Sequence, residues 1–153
     1  MDNVPLIKTD FNIPGEVYQV QRPEIESGSH YYFQTASSLK YQVIFGKKKD
    51  NYLSNIVNFS VISEEYDDEY VETNKGEVYS IIRTMISIFR IYHEHHPYSI
   101  SYEFSGEFKE ERENAQLSIR SKLYFREALR VIDQSYWNVK LIDNKVLVQR
   151  KVL

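Results

Sequence analysis

A chain of 153 residues with 19 Lys+Arg, 22 Asp+Glu and a formal net charge of -3 fits one domain around one core, because a chain this long buries roughly 70% of the surface its unfolded form exposes. The absence of cysteine excludes disulfides and thiolate chemistry and leaves any zinc site to histidines and carboxylates. The 13 Tyr and 8 Phe, with 42% hydrophobic residues, argue against disorder and for a well-filled core.

The charge is uneven along the chain. Residues 1–108 hold 9 Lys+Arg against 16 Asp+Glu, and residues 109–153 hold 10 against 6, so a net of -7 is followed by +4. Such a split can steer a polyanion to one end or neutralise itself within one fold. The N-terminus lacks a basic segment followed by an apolar run, and no stretch approaches the ~20 apolar residues that a membrane span needs. A cytoplasmic protein is expected.

In chain order, residues 1–15 include Pro5, Pro14 and Gly15 without a sustained period and read as an extended arm, laid on the body by Leu6, Ile7, Phe11 and Ile13. Strand-like runs follow at 16–21, 30–36 and 39–45, with Ser37 and Ser38 turning between the last two. A fourth strand has Val57, Phe59 and Val61 on one face and Asn58 and Ser60 on the other, the alternation of a sheet covered on one side. Residues 47–51 form a charged hairpin loop before it, and the acidic run 64–72 after it reads as a surface loop.

Asn74 then opens the strongest helix, with Glu77 three residues on to complete a capping box. Val78, Ile81, Ile82, Met85, Ile86, Phe89 and Tyr92 recur at helical spacing until Pro97 stops the helix. A strand places Ile100, Tyr102 and Phe104 on one face, a charged loop spans 106–114, and a second helix over 115–134 carries Leu117, Leu123, Tyr124, Ala128, Val131 and Ile132 inward. A closing hairpin runs from Trp137, Val139 and Leu141 through a two-residue Asp143-Asn144 turn to Val146 and Val148. The order ββββ-α-β-α-ββ predicts a single α+β domain, a mainly antiparallel sheet with two helices on one face.

The segment from Thr73 through Asn74, Gly76 and Glu77 to Tyr79, continuing into Arg83 to Ile86, is followed by Ser118 to Tyr124 with its Arg120-x-x-Leu123-Tyr124 pattern. Together these resemble a family of small uncharacterised proteins from Bacteroidota and phages, a domain of unknown function that pairs Asn-x-Gly-Glu/Asp with Arg-x-x-Leu-Tyr. The resemblance covers roughly residues 30–135 and implies a fold and a bacterial origin, but no reaction. Physically, Gly76 allows a backbone to approach closely and Glu77 satisfies a helix N-terminus. Arg120 and Tyr124 lie one turn apart, placed to bind a carboxylate such as Glu77 or a ligand anion.

Most specific chemistries lack their patterns. His93 and His96 are i,i+3 neighbours with His95 beside them, a weak metal candidate without the HExxH signature of helical zinc enzymes. Partly exposed histidines at the negative end of a helix dipole account for the same pattern without metal. Asp67-Asp68-Glu69 lacks calcium-loop spacing, and nothing sets the acidities of Glu103 and Glu107 apart. No nucleophile elbow, Walker loop or dinucleotide fingerprint is present; no cofactor is expected.

The resulting expectation is a non-enzymatic binding or protein-interaction module, with an exposed sheet face or edge through which it could dimerise. The alternative is a single-stranded nucleic-acid binder, since four strands followed by a helix resemble the PUR-type and Whirly-type repeat. In that reading Lys122, Arg126 and Arg130 form a basic helix stripe, Arg150 and Lys151 add charge, and Tyr31, Tyr32, Tyr41 and Tyr52 offer stacking surfaces. An overall pI near 5.8 weighs against backbone binding. A small metal-dependent enzyme around the histidines is the third reading.

Overall fold

The computed structural model describes residues 4–9, 15, 17–25, 27–36, 38–61, 75–106, 118–143 and 145–151. Its elements are β1 (Val20–Gln21), β2 (His30–Gln34), β3 (Lys40–Lys48), β4 (Asn51–Val61), α1 (Lys75–His95), β5 (Ser101–Gly106), α2 (Ser118–Val131), β6 (Trp137–Ile142) and β7 (Lys145–Arg150). The predicted element order and α+β class are what the chain adopts. The strands form one seven-stranded sheet in the order β1-β2-β3-β4-β5-β7-β6. All neighbours are antiparallel except β4 and β5, which run parallel. Parallel neighbours need a crossover, and α1 supplies it. Among the described residues, no helix is long and apolar enough to cross a membrane.

The strand alternation sets the two faces. Opposed residues share a face, so the register places Tyr31, Val43 and Phe59 in one row, Phe45, Val57, Phe104 and Val146 in another, and Asn55, Tyr102, Val148 and Val139 in a third. Both helices cover this face. From α1, Phe89 packs on Phe104 with ring centroids 4.3 Å apart and Tyr92 stacks on Phe45 at 3.8 Å; from α2, Tyr124 meets Phe59 edge-on at 5.7 Å. A ladder of near-parallel rings, Tyr18, Phe33, Tyr41 and Phe59, continues across β2, β3 and β4. Aromatic burial on this scale dominates the core energetics. On the opposite face Ile44, Ile56 and Leu147 are only half-buried, and Glu103 sits between Lys48 and Lys145 at 3.4 and 3.6 Å.

Several boundaries depart from the sequence reading, each for a local reason. Of the described residues 17–21, only Val20–Gln21 form a strand, and the Tyr18 N–H donates instead to Thr84 Oγ1 on α1 at 2.9 Å. Residues that look like a charged loop are largely hairpin: β3 continues to Lys48 and β4 starts at Asn51, with a register shift between Lys47 and Lys48. The second helix ends at Val131, and Ile132 instead makes an isolated bridge to Ile7 of the arm; Leu117 lies outside the described residues. The tight turns hold, with Ser38 at φ 70° and Asp143 at φ 48°. The acidic run 64–72, the loop 107–114, Phe11 and Ile13 lie outside the described residues.

The arm is more than a surface strap. Leu6 and Ile7 are 2% and 5% exposed, Lys8 N–H donates to the Val131 carbonyl and Asp133 N–H to the Leu6 carbonyl, both at 2.9 Å. The single tryptophan, Trp137, is fully buried and donates its indole N–H to the Pro5 carbonyl at 2.8 Å. Residues far apart in sequence thereby close the lower layer of the core.

Candidate binding surface

The histidines come first, because sequence spacing singles them out. His93 is buried, 6% exposed, in place of the partly exposed ring expected. Its Nε2 lies 2.8 Å from the Val4 carbonyl and its Nδ1 2.7 Å from the Tyr102 hydroxyl. A carbonyl only accepts, so Nε2 carries the proton and Nδ1 accepts from Tyr102. Burial pushes the ring below the usual imidazole pKa, and the Val4 bond opposes this. His96 is half-buried, stacks on Tyr92 at 3.8 Å, and holds its nitrogens 2.9 Å from the Tyr92 carbonyl and 3.0 Å from the Ser27 carbonyl. The two rings that looked like metal ligands are thus directed at separate backbone groups. Among the described residues, no group of three or more His, Asp or Glu side chains is arranged to hold a metal.

Buried polar groups continue this network inward. The Tyr92 hydroxyl donates to Asn55 Oδ1 at 2.9 Å, and Asn55 Nδ2 donates to the Ser101 carbonyl at 3.1 Å. Asn55 is therefore part of the tie between β4, β5 and α1. Desolvation pushes the phenol of Tyr92 up to about 12 and that of Tyr102 higher still. These groups are held neutral and paired, which suits a structural tie.

The α2 residues divide. Lys122 is exposed. Tyr124 turns inward against Phe59, which places it in the core margin. Arg126 and Arg130 are exposed but share one carboxylate, Glu127, at 3.5 and 2.8 Å, so the stripe carries less free positive charge than its spacing suggests. Gly76 and Glu77 stand in the first turn of α1; Asn74 and the side chain of Arg120 lie outside the described residues. Of the four tyrosines offered for stacking, Tyr31 and Tyr41 are 0% and 1% exposed and belong to the core, Tyr32 is half-buried, and Tyr52 is 71% exposed.

A different surface emerges at one end of the sheet. The Ile100 N–H donates to the Leu53 carbonyl, the Arg150 N–H to the Ile100 carbonyl, and the Lys151 N–H to the Tyr136 carbonyl, each at 2.8 Å. These bonds line up the start of β4, the entry to β5, the end of β7 and the start of β6. Four large side chains stand out along this line: Tyr52 at 71% exposure, Leu53 at 46%, Tyr98 at 58% and Tyr136 at 43%. Lys47, Lys48, Lys49, Arg150 and Lys151 accompany them, against Asp50 and Asp133. With Lys48 held by Glu103 at 3.4 Å, four of these cations face two carboxylates, a local surplus of two positive charges in a chain of net charge -3.

Sequence reading names Tyr52, Arg150 and Lys151 but not their meeting with Tyr98 and Tyr136. Their positions, 52, 98, 136 and 151, come together only because β7 inserts between β5 and β6. The chain matches no protein-family model, no curated protein and no solved structure.

Proposed function

We propose that the chain is a non-enzymatic binding module that presents this end of the sheet to a partner carrying negative charge. The observation that carries the reading is the convergence of Tyr52, Leu53, Tyr98 and Tyr136, all exposed, with Lys47, Lys49, Arg150 and Lys151. Exposed rings beside an unbalanced positive cluster are the composition of an interaction surface, where aromatic and cationic side chains supply contact area and charge complementarity. Self-association through the sheet face opposite the helices is less favoured. Glu103 with Lys48 and Lys145 lies in the middle of that face, and a dimer there would have to desolvate those charges.

Retention on an immobilised polyanion tests the proposal. The chain is expected to bind at low salt and elute as salt rises, and the triple charge reversal Lys47→Glu, Lys49→Glu, Lys151→Glu is expected to abolish retention. Reversal of Lys122, Arg126 and Arg130 is expected to change it little. No retention at low salt, or loss only with the helix-stripe variant, would overturn the reading.

A further inference from the structure

Resting on that reading, we infer that the partner is single-stranded nucleic acid, with bases stacked on Tyr52, Tyr98 and Tyr136. From β4 through β5 and β7 to β6 there are three strand spacings, and at about 4.8 Å each the row is roughly 14 Å wide. Tyr52 stands at one side of this row, Tyr136 at the other, and Tyr98 precedes Ile100, whose N–H donates to Leu53 of β4 and whose carbonyl accepts from Arg150 of β7.

Chemistry then separates the candidate polyanions. A polyanion recognised by charge alone has no use for three separate phenol rings at 71%, 58% and 43% exposure. Bases do, because every base offers a π-face that stacks on an aromatic side chain without regard to sequence, while the phosphates run along neighbouring cations. Lys47 and Lys49 stand beside Tyr52 at the β3–β4 hairpin, and Arg150 and Lys151 at the end of β7, between Tyr98 and Tyr136. A duplex keeps its bases stacked on each other and cannot present them to these rings, so single strands are the form that fits. Stacking of this kind is sequence-tolerant, because each base presents the same kind of π-face.

Fluorescence anisotropy of the full chain with a short labelled single-stranded oligonucleotide tests this inference, alongside the same sequence as a duplex and heparin as a polyanion without bases. Single strands are expected to bind at least tenfold more tightly than the duplex. The log-log salt slope is expected near -3, about -0.7 for each of four neutralised phosphates. Replacing Tyr52, Tyr98 and Tyr136 by Ala one at a time should weaken binding roughly 5- to 150-fold per ring, while the Tyr→Phe changes retain it. Trp137 fluorescence and circular dichroism establish that each variant is folded. Duplex binding as tight as single strand, or Tyr→Ala variants that bind as the parent does, overturns the inference. If heparin binding survives alongside that result, the anionic-partner reading stands and the nucleic-acid inference alone falls; if neither ligand binds, both fall.

Discussion

Replacing His93 by phenylalanine keeps a ring of similar size in the core and removes both of its hydrogen bonds. The T-shaped contacts of the ring with Trp137 and Tyr102, at 5.4 and 5.8 Å, can persist. The Val4 carbonyl loses the donor 2.8 Å away, whereas the Tyr102 hydroxyl keeps a bond with Ser99. An unpaired buried acceptor costs about 1–3 kcal/mol, and a weakened arm adds to it, so a total near 2–3 kcal/mol is expected. At about 2–4 °C per kcal/mol for a chain of this size, the variant melts roughly 4–12 °C below the parent. Thermal unfolding followed by Trp137 fluorescence reads this directly. His95→Phe, at an exposed neighbouring position, is the control and stays within about 0.5 kcal/mol.

The same residue predicts a pH dependence. Burial holds His93 below its ordinary pKa, with Arg150 and His96 adding to the effect and the Val4 bond and Glu94 opposing it. The unfolded chain takes up a proton here near pH 6.5, the folded chain only at lower pH. The contribution of His93 to stability is therefore complete above about pH 6.5 and is lost as pH falls below it. His93→Phe should flatten that part of the stability profile between pH 7 and 5. A variant that melts with the parent and keeps its acid slope would refute the tautomer, the bond to the arm and the burial argument together.

Other predictions follow from the same core. Tyr92 and Tyr102 titrate above the ordinary tyrosine range, Tyr92 at about 12, so stability is full below about pH 10 and falls as pH rises through it; ultraviolet titration should show tyrosines that ionise only with unfolding. Asn55→Leu strips the Tyr92 hydroxyl and the Ser101 carbonyl of their partner and should cost about 2–4 kcal/mol in a denaturant titration. Tyr31 is fully buried with a hydroxyl that has no hydrogen-bond partner among the described residues, so Tyr31→Phe is expected to leave stability unchanged or raise it by about 1 kcal/mol. A Cβ on Gly28 would stand 2.5 Å from Pro23 Cβ and 2.9 Å from the Ile25 carbonyl oxygen, and Gly28→Ala should lower the melting temperature by several degrees, about 1–3 kcal/mol of strain.

Legibility in the sequence follows the range of the interactions. Val57, Phe59 and Val61 announce their strand because alternation is local, and α1 declares itself through its apolar spacing and Pro97. The strand order does not, since nothing near residues 145–150 says that they enter between β5 and β6. His93 looked like a surface histidine because its partners, Val4 and Tyr102, are supplied by other parts of the chain. Tyr31 and Tyr52 are the same residue type in the same strand-rich region, yet one is 0% and the other 71% exposed; the first sits mid-strand and the second at a register shift in a hairpin. The aromatic and basic end is legible only after the sheet is assembled.

A partner is expected to touch the chain at the aromatic and basic end of the sheet. Backbone amide shifts followed by heteronuclear NMR during titration with a single-stranded oligonucleotide locate that contact residue by residue. The largest changes are expected at Tyr52, Leu53, Tyr98, Ile100, Tyr136 and Lys151, the residues that the bonds between β4, β5, β7 and β6 bring into one row. Changes centred on Lys122, Arg126 and Arg130, or an unaltered spectrum at saturating oligonucleotide, would contradict it.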